Sequence, residues 1–189
     1  LSEGALEQKI NACLQQSELL AANERTEDAL ALVDEALSLV PEHPMLLAQR
    51  AWLLNILGRS AAALDAAHAA LYFEPDLVQA LVQLSVAQNG VGDTAAAEES
   101  LVRGLEIAPE YSTLHLLYAQ ILASNLGDRS QKKRRRALAE SHVDTALALS
   151  PEDPDGLRRA SNIAWTLGKI DLAQYYLDRG LSFAPESIE

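Results

Sequence analysis

The chain has 189 residues, 49% of them apolar, and sets 27 acidic side chains against 15 basic ones for a net charge of −12. That balance argues against general affinity for nucleic acid or an anionic bilayer, both of which select a basic surface. A single cysteine, Cys13, excludes an intrachain disulfide, and no apolar run approaches the roughly 18 residues of a membrane span.

Five prolines, Pro41, Pro75, Pro109, Pro151 and Pro185, fall 34, 34, 42 and 34 residues apart. A fixed period in this range means one supersecondary unit stacked on copies of itself, so the repeat decides the fold before local propensity does. With each proline at position 32, the repeats are 10–43, 44–77, 78–111, 112–153 and 154–187, a single array over 1–189. Residues 1–9 extend the first helix backwards, with Leu6 and Ile10 on its inner face.

Small residues recur in register. Position 20 is alanine in every repeat (Ala29, Ala63, Ala97, Ala139, Ala173). Position 8 is Ser17, Ala51, Ser85, Ala119 and Ser161, and position 27 is Ala36, Ala70, Gly104, Ala146 and Gly180. Such side chains let the two helices of a repeat approach closely, and larger residues at positions 24, 28 and 30 are expected to fill the remaining gaps. Turn signals separate the helices, as in Leu57-Gly58-Arg59, Gly92-Asp93-Thr94 and Leu167-Gly168-Lys169. Each proline sits just past a helix end, where it cannot continue the helix.

This pattern resembles the tetratricopeptide repeat (TPR) family: a small residue at 8, Gly near 15, Ala at 20, a small residue at 27 and Pro at 32, over about 178 of the 189 residues. The resemblance implies an all-α fold, a right-handed superhelix of five helix pairs. Departures are mild. The first repeat has Glu24 in place of Gly at position 15, and the position that is often Trp holds Cys13, Leu47, Leu81, His115 and Leu157.

The fourth repeat carries eight extra residues, 126–133 (LGDRSQKK), between its helices, and they run into Arg134, Arg135 and Arg136. With Arg129, Lys132 and Lys133 these form a basic patch of six of the fifteen cations. Anionic lipid, nucleic acid, phosphate or an acidic protein face are its candidate partners. A solvated loop or pairing with acidic neighbours is the simpler reading. No aromatic residue is interleaved, which weighs against single-stranded nucleic acid. At the other end of the fifth repeat, Leu181 and Phe183 occupy positions expected to pack on a following repeat. This points either to more protein after Glu189 or to self-association through repeat five.

No catalytic constellation, metal-ligand spacing or cofactor fingerprint is present, so neither an enzyme nor a cofactor or metal is expected. The four histidines, His43, His68, His115 and His142, read as isolated. In the TPR family the first helix of each repeat lines a concave groove. The resemblance places there Trp52 and Asn55; Gln79, Val82, Gln83, Val86 and Asn89; Leu116, Gln120 and Ser124; and Arg158, Arg159, Asn162 and Trp165. Amides offer donor and acceptor to an extended peptide backbone, and Trp, Val and Leu offer pockets to its side chains. The carboxylate clamp of TPR domains that bind chaperone tails is not reproduced: Leu14, Glu18, Gln49, Gln79 and Gln83 stand where Lys, Asn, Asn, Lys and Arg are needed.

The expected function is a non-enzymatic protein–protein interaction scaffold that holds a peptide in its groove. A self-assembling array, or the interaction module of a larger enzyme or membrane-anchored protein, is the alternative. Thirty-two alanines, and Arg outnumbering Lys 11 to 4, suggest a bacterial source. No signal peptide is visible and the chain begins at Leu1, so a cytoplasmic protein or an excised piece of a longer one is expected, touching a membrane only through segments outside this chain.

Overall fold

A computed structural model describes residues 3–183. Its helices are α1 (Glu3–Ala22), α2 (Thr26–Leu39), α3 (Pro44–Ile56), α4 (Ser60–Phe73), α5 (Val78–Gly90), α6 (Thr94–Ile107), α7 (Ser112–Ser124), α8 (Arg129–Leu149), α9 (Pro154–Thr166) and α10 (Ile170–Phe183). Among the described residues there is no strand. The helices form five pairs, divided between two compact units, Leu1–Ile107 with three pairs and Ala108–Glu189 with two.

The proline register locates the helix starts. α3, α5, α7 and α9 each begin on the first residue of their repeat. Pro44 and Pro154 stand at N1, where a missing N–H is harmless. The His43 ring and the Asp153 carboxylate accept from backbone amides of the first turn. α1 reaches back to Glu3, with Ile10 buried and Leu6 packed against the core. The second helices end two residues before Pro41, Pro75, Pro109 and Pro151, while Pro185 lies outside the described residues.

Four helix pairs turn the same way. The amide of Gly58, Gly92 or Gly168 bonds to the carbonyl three residues back, and the next amide bonds five back, as in Arg59 to Leu54 (2.8 Å). This is the Schellman closure, and it needs a left-handed residue at its C′ position. Glycine supplies it at φ 69, 88 and 75°, and in the first repeat Glu24 adopts it at φ 60°.

The small positions are the closest-packed. The position-20 alanines are 0–4% exposed, and a Cβ on Gly180 would stand 3.3 Å from the Leu157 Cβ. Buried serines at position 8 keep their hydroxyls satisfied: Ser85 donates to the Val82 carbonyl, and Ser161 ties α9 to the Ala173 carbonyl on α10. Arg103 and Arg179 hold equivalent positions in their repeats, and each donates to a proline carbonyl of the preceding repeat, Pro75 and Pro151.

Two expectations are corrected. Position 30 does not fill the core: Leu39, Phe73, Ile107, Leu149 and Phe183 are all at least 39% exposed, because this residue lies at the end of its helix beside the loop. The fifth repeat differs from the others at position 24 instead. Leu177 is 39% exposed there, while Val33, Ala67, Leu101 and Val143 are at most 5% exposed. Second, the insertion is mostly helix. Residues 125–128 form the link and Leu126 packs on the core of its unit. α8 then starts at Arg129, seven residues before Arg136, which occupies the position where α2, α4, α6 and α10 begin. α8 therefore has 21 residues and each of those four has 14.

Candidate functional site

Within the second unit, the two first helices α7 and α9 pack side by side and leave a cleft of about 240 Å³ between them. It is lined by Gln120, Ala123 and Ser124 from α7 and by Arg158, Arg159, Asn162, Ile163 and Thr166 from α9. The helical period explains the grouping. Residues 158, 159, 162 and 166 share one face of α9, while Leu157, Ala160 and Ala164 turn the opposite way into the core.

The Asp155 carboxylate is the electrostatic anchor of this cleft. It pairs with the Arg158 guanidinium and, at 2.7 Å, with Arg159. Burial raises the Asp155 pKa, but the hydrogen bonds and charges of Arg159 and Arg158 outweigh it and hold the carboxyl below its usual range. Both arginines are thus fixed in direction and half-neutralised, while Gln120, Ser124, Asn162 and Thr166 line the cleft with amide and hydroxyl groups. Of these residues Thr166 was missed in the sequence, although it holds position 13, the same groove position as Ser124. Trp165 is 65% exposed on α9 and does not line the cleft.

In the first unit the expected groove residues divide. Gln79 and Asn89 are exposed, and Val86 is half-buried. The Asn55 amide donates to both the backbone carbonyl and the side-chain oxygen of Gln83 (3.0 and 3.1 Å), and its own oxygen is shut away from solvent. Asn55 therefore clasps α3 to α5 and does not present a free amide. Trp52 packs against the hydrophobic core, and Val82 is 6% exposed. In the second unit Leu116 is 3% exposed. Val82 and Leu116 share position 5, which points inward because adjacent first helices pack on each other. Val82 and Leu116 are core, contrary to the groove assignment, and Trp52 is half-buried against the core.

The histidines are not all isolated. His115 on α7 and His142 on α8 belong to the same repeat, and their Nδ1 atoms are 2.8 Å apart, while the His115 Nε2 is 2.8 Å from the Pro109 carbonyl. A carbonyl only accepts, so His115 carries its proton on Nε2 and His142 donates from Nδ1. The Tyr118 ring stands edge-on to His142. Burial, and then the proximity of His115, push the His142 pKa down. No group of three or more metal-ligating side chains occurs among the described residues.

The basic residues stand at the start of α8. Arg129, Lys132, Lys133 and Arg134 are exposed, Arg135 and Arg136 are half-buried, and Arg136 donates to the Leu167 carbonyl at the end of α9. The Asp128 carboxylate caps the helix, accepting from the Ser130 hydroxyl and from the amides of Gln131 and Ser130; these bonds hold its pKa low. Among the described residues no helix is long and apolar enough to cross a membrane.

No family model and no curated protein matches the chain. Solved structures do. TTC0263, a thermophilic TPR protein of Thermus thermophilus, is 24% identical, with a TM-score of 0.81 over 94% of this chain and 93% of that one. PilW, a type IV pilus biogenesis factor, is 19% identical, with a TM-score of 0.70 over 93% of this chain and 77% of that one. YrrB, a TPR protein with an unusual peptide-binding site, is 17% identical, with a TM-score of 0.55 over 97% and 94%. With helices in five registered pairs, these likenesses show the fold: the chain is an all-α array of tetratricopeptide repeats.

Proposed function

We propose that the chain is a non-enzymatic protein-interaction scaffold and that the cleft between α7 and α9 holds an extended peptide segment. The observation that carries this reading is the lining itself. Amide and hydroxyl groups from Gln120, Ser124, Asn162 and Thr166 converge on one open cleft, with the directed pair Arg158 and Arg159 at its side. An extended backbone presents N–H and C=O groups in alternation, and side chains that both donate and accept satisfy it whatever its sequence. The cleft contains no nucleophile beside a base and no paired carboxylates, so it offers binding without chemistry. YrrB, of the same fold, has a peptide-binding site, which supports the class of ligand. Peptides selected from a random displayed library against the full chain provide the test. Gln120→Ala with Asn162→Ala should weaken them about tenfold, the loss of two hydrogen bonds, with the circular dichroism unchanged. Selected peptides that bind the double variant as well as the parent would place the site elsewhere.

Self-association through repeat five is a second reading. Leu177, Leu181 and Ile170 share one face of α10 and are 39, 36 and 51% exposed, and an apolar end of a repeat array recruits a covering surface. Sedimentation at rising concentration should show dimers that Leu177→Lys with Leu181→Lys removes. A monomer at every concentration would end this reading.

A further inference from the structure

The start of α8 is a basic helical segment that the other second helices lack. The other second helices begin at the position of Arg136, so residues 129–135 add about 10 Å of helix beyond that point. Arg129, Lys132, Lys133 and Arg136 fall at i, i+3, i+4 and i+7, a single stripe anchored at its lower end by the Arg136 bond to the Leu167 carbonyl. Arg134 flanks it.

Two features set these cations apart. First, elsewhere in the described residues the arginines are engaged: Arg25 with Asp28, Arg50 with Asp34, Arg59 with Glu27, Arg103 with Asp76, Arg158 and Arg159 with Asp155, and Arg179 with the Pro151 carbonyl. Arg129, Lys132, Lys133 and Arg134 have no partner among the described residues, in a chain where acids outnumber bases 27 to 15. Second, their placement opposes the helix. Like charges at i,i+3 and i,i+4 repel, and cations at an N-terminus oppose the helix dipole. Within α8 no acid occurs before Glu140, and the one carboxylate at its start, the Asp128 cap, is spent on Ser130 and Gln131. An anionic occupant would relieve both penalties.

We propose that this overhanging stripe is a docking site for a short acidic polypeptide segment, separate from the α7–α9 cleft. Charge complementarity selects an anion, and the surroundings select its kind. The stretch RSQKKRRR holds no aromatic residue for stacking on bases and no apolar residue to enter a bilayer interface. Without the six cations of the patch the rest of the chain is at −18, which repels an extended polyanion or a charged sheet. A short segment contacts the stripe alone, and charges farther than a screening length of about 8 Å act on it weakly.

Binding of fluorescein-labelled octaglutamate to the full chain, followed by anisotropy, tests the proposal. The peptide should bind at low salt and be released in molar salt. The combined variant R129Q, K132Q, K133Q, R134Q should bind it about tenfold or more weakly, whereas Q120A with N162A should leave it unchanged. Gln forms helices as well as Lys, so the helical signal of the first variant should persist. A second variant, R129K with R134K, keeps the charge and should keep the binding. Equal binding to the glutamine variant, or no binding by the parent, would overturn the proposal. So would tighter binding of single-stranded DNA or of phosphatidylserine vesicles than of octaglutamate at the same ionic strength.

Discussion

Glu24 stands where three of the other helix pairs have glycine, and replacing it with glycine should stabilise the protein. At φ 60° its Cβ crowds the backbone, a cost of roughly 1–2 kcal/mol for an L-residue that glycine does not bear. The closing bonds are those of the other turns, with the Glu24 amide to Ala21 at 3.1 Å and the Arg25 amide to Leu20 at 2.9 Å, so no compensating local structure distinguishes this turn. The Glu24 side chain is exposed and makes no hydrogen bond or ion pair among the described residues, so its removal forfeits nothing in the folded state. Against the gain stands the greater freedom of glycine in the unfolded chain, roughly 0.5–1 kcal/mol. The net is about 0.5–1 kcal/mol in favour of Glu24→Gly, which for a chain of this size raises Tm by about 1–4 °C. The converse change, Gly92→Ala, meets nothing within 4 Å of the added Cβ, so its cost is conformational only and should be of similar size with opposite sign. Thermal melts of both variants measure the pair. A Glu24→Gly protein that melts at or below the parent temperature would refute the reasoning, since it would mean that the left-handed conformation carries no strain at this turn.

Two further outcomes are expected. Excising 126–133 joins Asn125 to Arg134 and puts Arg134 at the left-handed turn position, so the shortened protein should keep its helical spectrum but lose about 1 kcal/mol; adding Arg134→Gly to the deletion should restore much of it in urea melts. The His142 pKa is depressed in the fold from its ordinary 6.5. The unfolded chain therefore binds the proton first, and stability, complete above that value, should decline as pH falls through it towards the folded pKa. Urea midpoints at about pH 7.5 and 5.5 should show this decline, and a His142→Gln variant that retains the same slope would assign it to other groups.

The proline period made the helix pairs legible, down to the first residue of α3, α5, α7 and α9, because one steric solution is reused and each reuse repeats its small residues and its breaker. What departs from the period had to be read locally, and there the sequence was harder to follow. The run from Arg129 to Arg136 looks like a solvated loop by charge, yet Asp128 followed by Ser130 and Gln131 is an N-terminal capping signal, and it wins once the helix is anchored by Ala139 and Val143 in the core. His115 and His142 lie 27 residues apart, but at facing positions of one helix pair; their meeting follows from the pairing of α7 with α8 and not from any motif.

The groove illustrates the remaining limit most sharply. Amides on the same helix face have different uses because a neighbour decides them: Asn55, at position 12, meets Gln83 and is consumed in holding α3 to α5, whereas Asn162, at position 9, faces the open cleft beside Gln120. Position 5 is likewise buried as Val82 and Leu116 but exposed as Arg158, where Asp155 one turn earlier draws the guanidinium outward. A repeat register therefore specifies which face a residue belongs to, while the side chains on the adjoining helix decide whether it remains available to a ligand. On that criterion the polar lining concentrated between α7 and α9, and not the clasped amides of the first unit, remains open, and it is there that the proposed peptide is to be sought.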